Sequence, residues 1–231
     1  MFRRFVEVDL VLRRGRHLGR EDHDLYTFVL DALEPLEGLY ERYGARLIHR
    51  TDGYFFLVPS GDRLPRRQLT TGEMLVGQAL ALLYLDPATL ESTGVVDRSA
   101  VLRRLDGLLG IEALFRTLAH HRRRFDERTA SEAVRDHVAR ALRRLADLGF
   151  VELLDGERVR LRHALMRFTD PVRPTAEPGA ALERLIRGGE VVTRSSSARS
   201  STWAGESTTL RGSRAVPLWP LALAHKAEAR P

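Results

Sequence analysis

The chain has 231 residues, 43% of them apolar, enough for one large or two small domains with filled cores. It contains no cysteine, which excludes disulfides, thiolate zinc sites and cysteine nucleophiles. A formal net charge of +6 and a pI near 10.4 point to an anionic partner, of which a nucleic acid is the commonest; yet Lys226 is the only lysine among 37 basic residues, and a GC-rich genome produces that arginine skew as readily as selection for phosphate contacts.

From the N-terminus, Phe2, Phe5, Val6, Leu10 and Val11 predict a short helix to Arg13, which Arg14 to Gly19 break. Glu21 to Leu33 follows as a helix with Leu25, Phe28, Val29 and Ala32 on one side. Pro35 then opens a helix whose apolar edge is Leu36, Leu39, Tyr40 and Tyr43. Gly44 ends it, and Ala45 to Arg50 and Tyr54 to Pro59 flank Asp52-Gly53 as a hairpin. The polar stretch Ser60 to Pro65 marks a domain boundary.

Thr70 and Glu73 have capping-box spacing ahead of Met74 to Leu85, a helix apolar on nearly every face. Such a helix is buried in its own core or against another subunit, and Met74, Leu75, Leu82 and Tyr84 are its candidate partner-binding residues. Asp86-Pro87 stops it. Asp97 to Leu109 and Glu112 to Leu118 are further helical segments, followed by the basic run Arg122 to Arg124. A long amphipathic helix comes next, with Val134, Val138, Ala141, Leu142, Leu145 and Leu148 on one stripe. Gly149 follows it, and the period changes to two for Phe150 to Leu154 and Arg158 to Arg162 around Asp155-Gly156. Helix, glycine and hairpin thus occur twice.

This recurrence predicts an α+β, mainly helical protein with two tandem winged-helix domains, at 1–60 and 66–168. Residues 169–192 form a proline-broken connector with a short helix at Ala180 to Arg187. From Thr193 the serine-rich tail, 193–231, is expected to be disordered, although Trp203 and the cluster Val216 to Leu223 are odd in a solvated tail and suit a docking peptide if they have a role.

Little in the chain suggests chemistry. There is no Walker-type phosphate loop. His120-His121 lack the i, i+4 spacing of a zinc helix, and Glu21, Asp22 and Asp24 beside His17 and His23 fit acidic residues at a helix start as well as acid–base work. No catalytic residue, metal or cofactor is expected. The longest apolar run, Ala79 to Leu85, is far short of the ~18 residues of a membrane span, and no secretory leader opens the sequence, so a cytoplasmic address is expected.

Binding is better supported. A winged helix lays a helix in the major groove while its wing touches the backbone. Arg143 lies opposite the apolar stripe, Arg140 and Arg144 flank it, and Arg158, Arg160 and Arg162 alternate onto one face of the second wing strand. With Arg122 to Arg124 they form a candidate basic surface, from which Arg122, Arg143, Arg144, Arg158 and Arg160 are chosen as DNA-binding residues. The same arginines also have Asp136, Asp147, Glu152 and Glu157 available as partners on a solvated exterior.

Several strings resemble the MukE family, accessory subunits of MukBEF-type bacterial condensins. They are Arg14 to Gly19 (RGRHLG), Tyr40 to Pro59 (YERYGARLIHRTDGYFFLVP), Met74 to Pro87 (MLVGQALALLYLDP), Leu142 to Val151, and Met166 to Glu190. The resemblance runs in order from about Phe5 to Val191. It implies a homodimer of tandem winged-helix subunits bound to a kleisin-like partner of the MukF type. Through that partner it implies contact with the heads of an SMC ATPase of the MukB type, and with DNA through the complex. The motor then lies elsewhere, in keeping with the missing phosphate loop. This chain departs from the family pattern in being basic with a serine-rich tail, and in carrying Ala146-Asp147 where basic residues usually continue the helix. The expected role is chromosome condensation, segregation and partitioning at the nucleoid. The alternatives are the equivalent subunit of a plasmid-restricting SMC complex, marked by a neighbouring nuclease-like gene, and a winged-helix transcription regulator with a palindromic operator.

Overall fold

The structure is a computed structural model that describes residues 2–60, 62–91, 93–118, 127–155, 157–188 and 215–217. The first half runs α1 (Phe2–Arg13), β1 (Leu18–Gly19), α2 (His23–Asp31), α3 (Leu33–Arg42), β2 (Ala45–Arg50) and β3 (Tyr54–Pro59). Its antiparallel sheet has the order β1-β3-β2. α3 begins two residues before Pro35, which still falls in the first turn, where its missing N–H leaves no helical bond unmade.

The second half runs β4 (Gln68–Thr70), α4 (Thr71–Tyr84), α5 (Pro87–Glu91), β5 (Val95–Asp97), α6 (Arg98–Leu109), α7 (Ile111–Leu118), α8 (Glu127–Asp147), β6 (Val151–Leu153) and β7 (Arg158–Leu161). A 3-10 segment (His163–Thr169) and α9 (Pro178–Arg187) complete it. Its sheet has the order β5-β7-β6, again with the third strand between the first and the second. The expected recurrence is present: Gly44 and Gly149 both take the left-handed conformation, at φ 71° and 78°, between a helix and a hairpin. At Gly149 there is a further demand, because a Cβ there would overlap the backbone carbonyl of His17.

α4 is the centre of the second half. Its start is fixed by the predicted capping box, in which the Glu73 N–H donates to Thr70 Oγ1 at 3.2 Å and the Thr70 N–H donates to Glu73 Oε2 at 2.7 Å. Gly72 and every residue from Leu75 to Leu82 are buried, under α6, α8, α9 and the 3-10 segment. The chain's own core therefore accounts for this helix's apolar faces. Gly77 admits the Phe168 ring where a Cβ would collide with it.

The two cores meet across β3. Its alternation sends Phe55 into the first core with Leu12, Leu18, Val29 and Tyr40, whereas Tyr54, Phe56 and Val58 belong to the second with Leu80, Leu145 and Phe150. The Ser60 to Pro65 linker separates the halves in sequence, but in space the hairpin of the first half is a wall of the second. His17, 1% exposed, sits in this seam against the rings of Phe150 and Phe56, at centroid distances of 4.2 and 5.3 Å. Its backbone N–H and its Nδ1–H both donate to Leu148 O, at 2.8 and 3.0 Å, which leaves Nε2 as the acceptor for Arg167 Nη1–H at 2.6 Å. Burial and the Arg167 charge hold His17 well below the ordinary histidine value, so the ring is neutral. Arg167 lies 4.0 Å over the Phe56 ring; burial brings its pKa down to about 10, and it stays cationic at neutral pH.

Ion pairs ring the seam. Arg50 reaches Asp170 at 2.7 Å, Arg173 reaches Asp52 at 2.6 Å and Asp170 at 3.1 Å, and Arg162 reaches Asp22 at 3.0 Å. Of the stretch from Thr193, only Ala215–Pro217 is described, and it is a strand, β8, antiparallel to β4. A composition averaged over the serine-rich tail hides three residues that suit a short edge strand.

Candidate functional site

The second hairpin positions Arg158 and Arg160. β7 alternates exposed and buried residues, with Val159 and Leu161 facing the core, so the two arginines share the outer face. They line an open groove with Val95, Asp97, Leu153 and Asp155. Charge in that groove is partly balanced. Arg160 pairs with Glu152 across the strands at 3.0 Å, and Arg158 stands opposite Asp97, making among the described residues only a long 3.5 Å bond to Asp155 O. Arg158 is thus the freer cation of the two.

Arg162, one residue past β7, is still extended, and its guanidinium comes within 3.8 Å of Glu152, the carboxylate that Arg160 pairs with. It is nevertheless 8% exposed and held by Asp22 of the first half at 3.0 Å, so it adds no exposed cation to that face. On α8, Arg143 is exposed and Arg144 half-buried, and neither lines the wing groove. Asp136, Arg140, Arg143 and Asp147 lie along the exposed side of the helix, the two arginines between the two aspartates. Arg122 and its basic run, His120-His121 and Trp203 lie outside the described residues.

The α4 candidates divide. Leu75 and Leu82, 2% and 3% exposed, are corrected from partner-binding to core residues, because the chain's own helices close over them. Met74 and Tyr84 are half-buried at the edge of that core.

A second basic surface was missed. The Arg63 Nη1–H donates to Arg42 O at the end of α3 at 3.0 Å, and the Arg67 Nε–H donates to Arg14 O beyond the end of α1 at 3.0 Å. Arg13 lies 5.2 Å from the ring centre of the exposed Tyr43, which joins the two helix ends. Arg13 pairs with Asp9 at 3.2 Å, but among the described residues Arg14, Arg42, Arg63 and Arg67 have no carboxylate within 4.0 Å. Guanidiniums on helix C-terminal carbonyls complement the dipole there and leave most of their N–H groups facing solvent. The arginine doublets were visible in sequence; their assembly from α1, α3 and the linker was not.

A family model described as the condensin complex protein MksE matches residues 3–173. The chain is similar to the chromosome partition protein MukE of Escherichia coli K12, 34% identical over 191 residues that cover 81% of each chain. It is similar to that of Actinobacillus succinogenes, 34% identical over 209 residues covering 89% of this chain and 85% of the other. It is likewise similar to the Shigella flexneri MukE, 34% identical over 191 residues covering 81% and 84%. The chain belongs to the MukE family of condensin-complex proteins.

In this MukE-family chain the matched span includes both hairpins, the His17–Arg167 seam, the linker arginines and the wing groove, whereas α9 and β8 lie beyond it. Among the described residues no helix is long and apolar enough to cross a membrane.

Proposed function

We propose that this chain is a non-enzymatic accessory subunit of a bacterial SMC complex that binds a kleisin, and through it the ATPase heads, as a homodimer in the cytoplasm at the nucleoid. The observation that carries this is the family match across both halves of the chain. Each half works as a winged helix: the order helix, strand, helices, two strands, with the third strand central in the sheet, recurs in both and supports that reading. Met74 and Tyr84 remain as candidate partner contacts on α4, and the ATP-hydrolysing motor belongs to the SMC protein.

When the complex closes on a duplex, Arg143, Arg144, Arg158 and Arg160, with Arg122, meet phosphates, and Arg14, Arg42, Arg63 and Arg67 add a second cationic surface. Phosphate contacts position without specifying sequence, so binding is salt-sensitive and indifferent to sequence. Two measurements test the proposal. The full chain, expressed with the kleisin and SMC ATPase of its host, co-purifies with both; recovery free of both overturns the assignment. Arg158→Glu/Arg160→Glu weakens DNA binding by the assembled complex while leaving assembly intact, and unchanged affinity across a salt titration removes the wing from the DNA surface.

A further inference from the structure

β4 would be an unpaired edge but for the tail. Its backbone pairs antiparallel with β8 in the register Gln68 with Pro217, Leu69 with Val216 and Thr70 with Ala215. Continued beyond Pro217 in an extended conformation, that register would bring Leu218, Trp219, Pro220 and Leu221 past Arg67, Arg66, Pro65 and Leu64 in turn. Those four linker residues line a small slot of about 50 Å³, walled by Leu12, Phe56 and Val58. Arg13, Arg66, Arg67 and Arg167 contribute its basic groups.

The sequence that would follow that path is Leu-Trp-Pro-Leu, the apolar run out of keeping with a serine-rich tail. Pro217 and Pro220 favour an extended, polyproline-like backbone that loses little entropy on docking. We propose that residues 218–221 dock across the slot, with the Trp219 ring against the linker guanidiniums, so that the C-terminal tail is tied over the junction of the two halves. An indole over guanidinium is the favoured aromatic–cation pairing. The occupant is the chain's own tail because only 27 residues, 188–214, separate α9 from β8. A random-coil link of that length would have a root-mean-square span of roughly 26–31 Å and an effective concentration near the millimolar range.

The experiment uses the full chain with Trp203→Phe, which leaves Trp219 as the sole indole of the two. Acrylamide quenching of Trp219 is expected to be about threefold or more weaker than that of N-acetyltryptophanamide. It should rise to the free value in the added Leu218→Ser/Leu221→Ser variant, whose changes lie in the tail and leave the folded body intact, and the Leu69 and Thr70 amides should then exchange faster. Quenching equal to the free indole in the parent overturns the proposal. So does shielding that survives both the tail changes and Arg66→Ser/Arg67→Ser, since the ring is then buried elsewhere. Shielding that disappears on hundredfold dilution means that a second copy donates the tail, and overturns docking within one chain.

Discussion

Gly44 and Gly149 play the same part in the two halves, yet replacing each with alanine should have clearly different costs. Both have φ in the left-handed region, which costs a residue with a Cβ about 1–2 kcal/mol. At Gly44 the nearest atom to a new Cβ is Arg63 Cδ at 3.8 Å, ordinary contact with a flexible side chain, so the conformational cost is the whole effect. At Gly149 the obstacle is the His17 carbonyl, which is backbone and cannot swing aside. Relief requires the loop before β1 to move away from the end of α8, which strains the two bonds that His17 donates to Leu148 O at 2.8 and 3.0 Å. Each is worth about 0.5–1.5 kcal/mol. Gly149→Ala should therefore lose about 2–5 kcal/mol against about 1–2 for Gly44→Ala. Urea unfolding followed by circular dichroism measures both, through the shift in midpoint at constant slope. Equal losses at the two sites would refute the claim that the seam, rather than the helix end alone, sets the demand at Gly149.

Leu82→Ala should destabilise the chain by about 2–5 kcal/mol, the range for a buried leucine, while complexes formed below the melting temperature keep their affinity for partners; a selective drop in partner affinity would return Leu82 to an interface. His17 is neutral when folded, whereas the unfolded chain takes up a proton below pH 6.5, so its contribution makes stability fall with falling pH by up to about 1.4 kcal/mol per unit until the folded pKa is reached. His17→Asn should be less stable at neutral pH and lose that component of the acid slope, and parallel pH–stability curves would show that the ring is not held neutral. Arg63→Ala/Arg67→Ala should flatten the plot of log affinity for DNA against log salt in the assembled complex by about 2, close to 0.9 for each phosphate that is no longer neutralised; an unaltered slope would exclude both residues from the DNA surface.

The parts of the fold legible in sequence were those with local causes. α8, Gly149 and the hairpin after it are marked by a helical period, a left-handed cap and a change to period two. The start of α4 is marked by Thr70 and Glu73, whose side chains reach only each other's backbone. β1 and β5, two and three residues long, are too short to show any period, and they exist because a hairpin strand lies beside them. Arg162 looked like an exposed cation of the hairpin because Asp22, which holds it from the first half, is 140 positions away and nothing local announces it. Leu75 and Leu82 looked available for the same reason: apolar pattern reveals that a helix is covered, not what covers it. The linker arginines come from three separate stretches, so only folding makes them neighbours.

β3 lends one side of its ribbon to each core, and this has a mechanical consequence. No layer of solvent or loose chain separates the two halves at that strand, so neither can tilt without disturbing aromatic packing in the other. A pull delivered to one end by an assembly partner would pass undamped to the far wing, as along a strut, and the subunit should melt in a single transition.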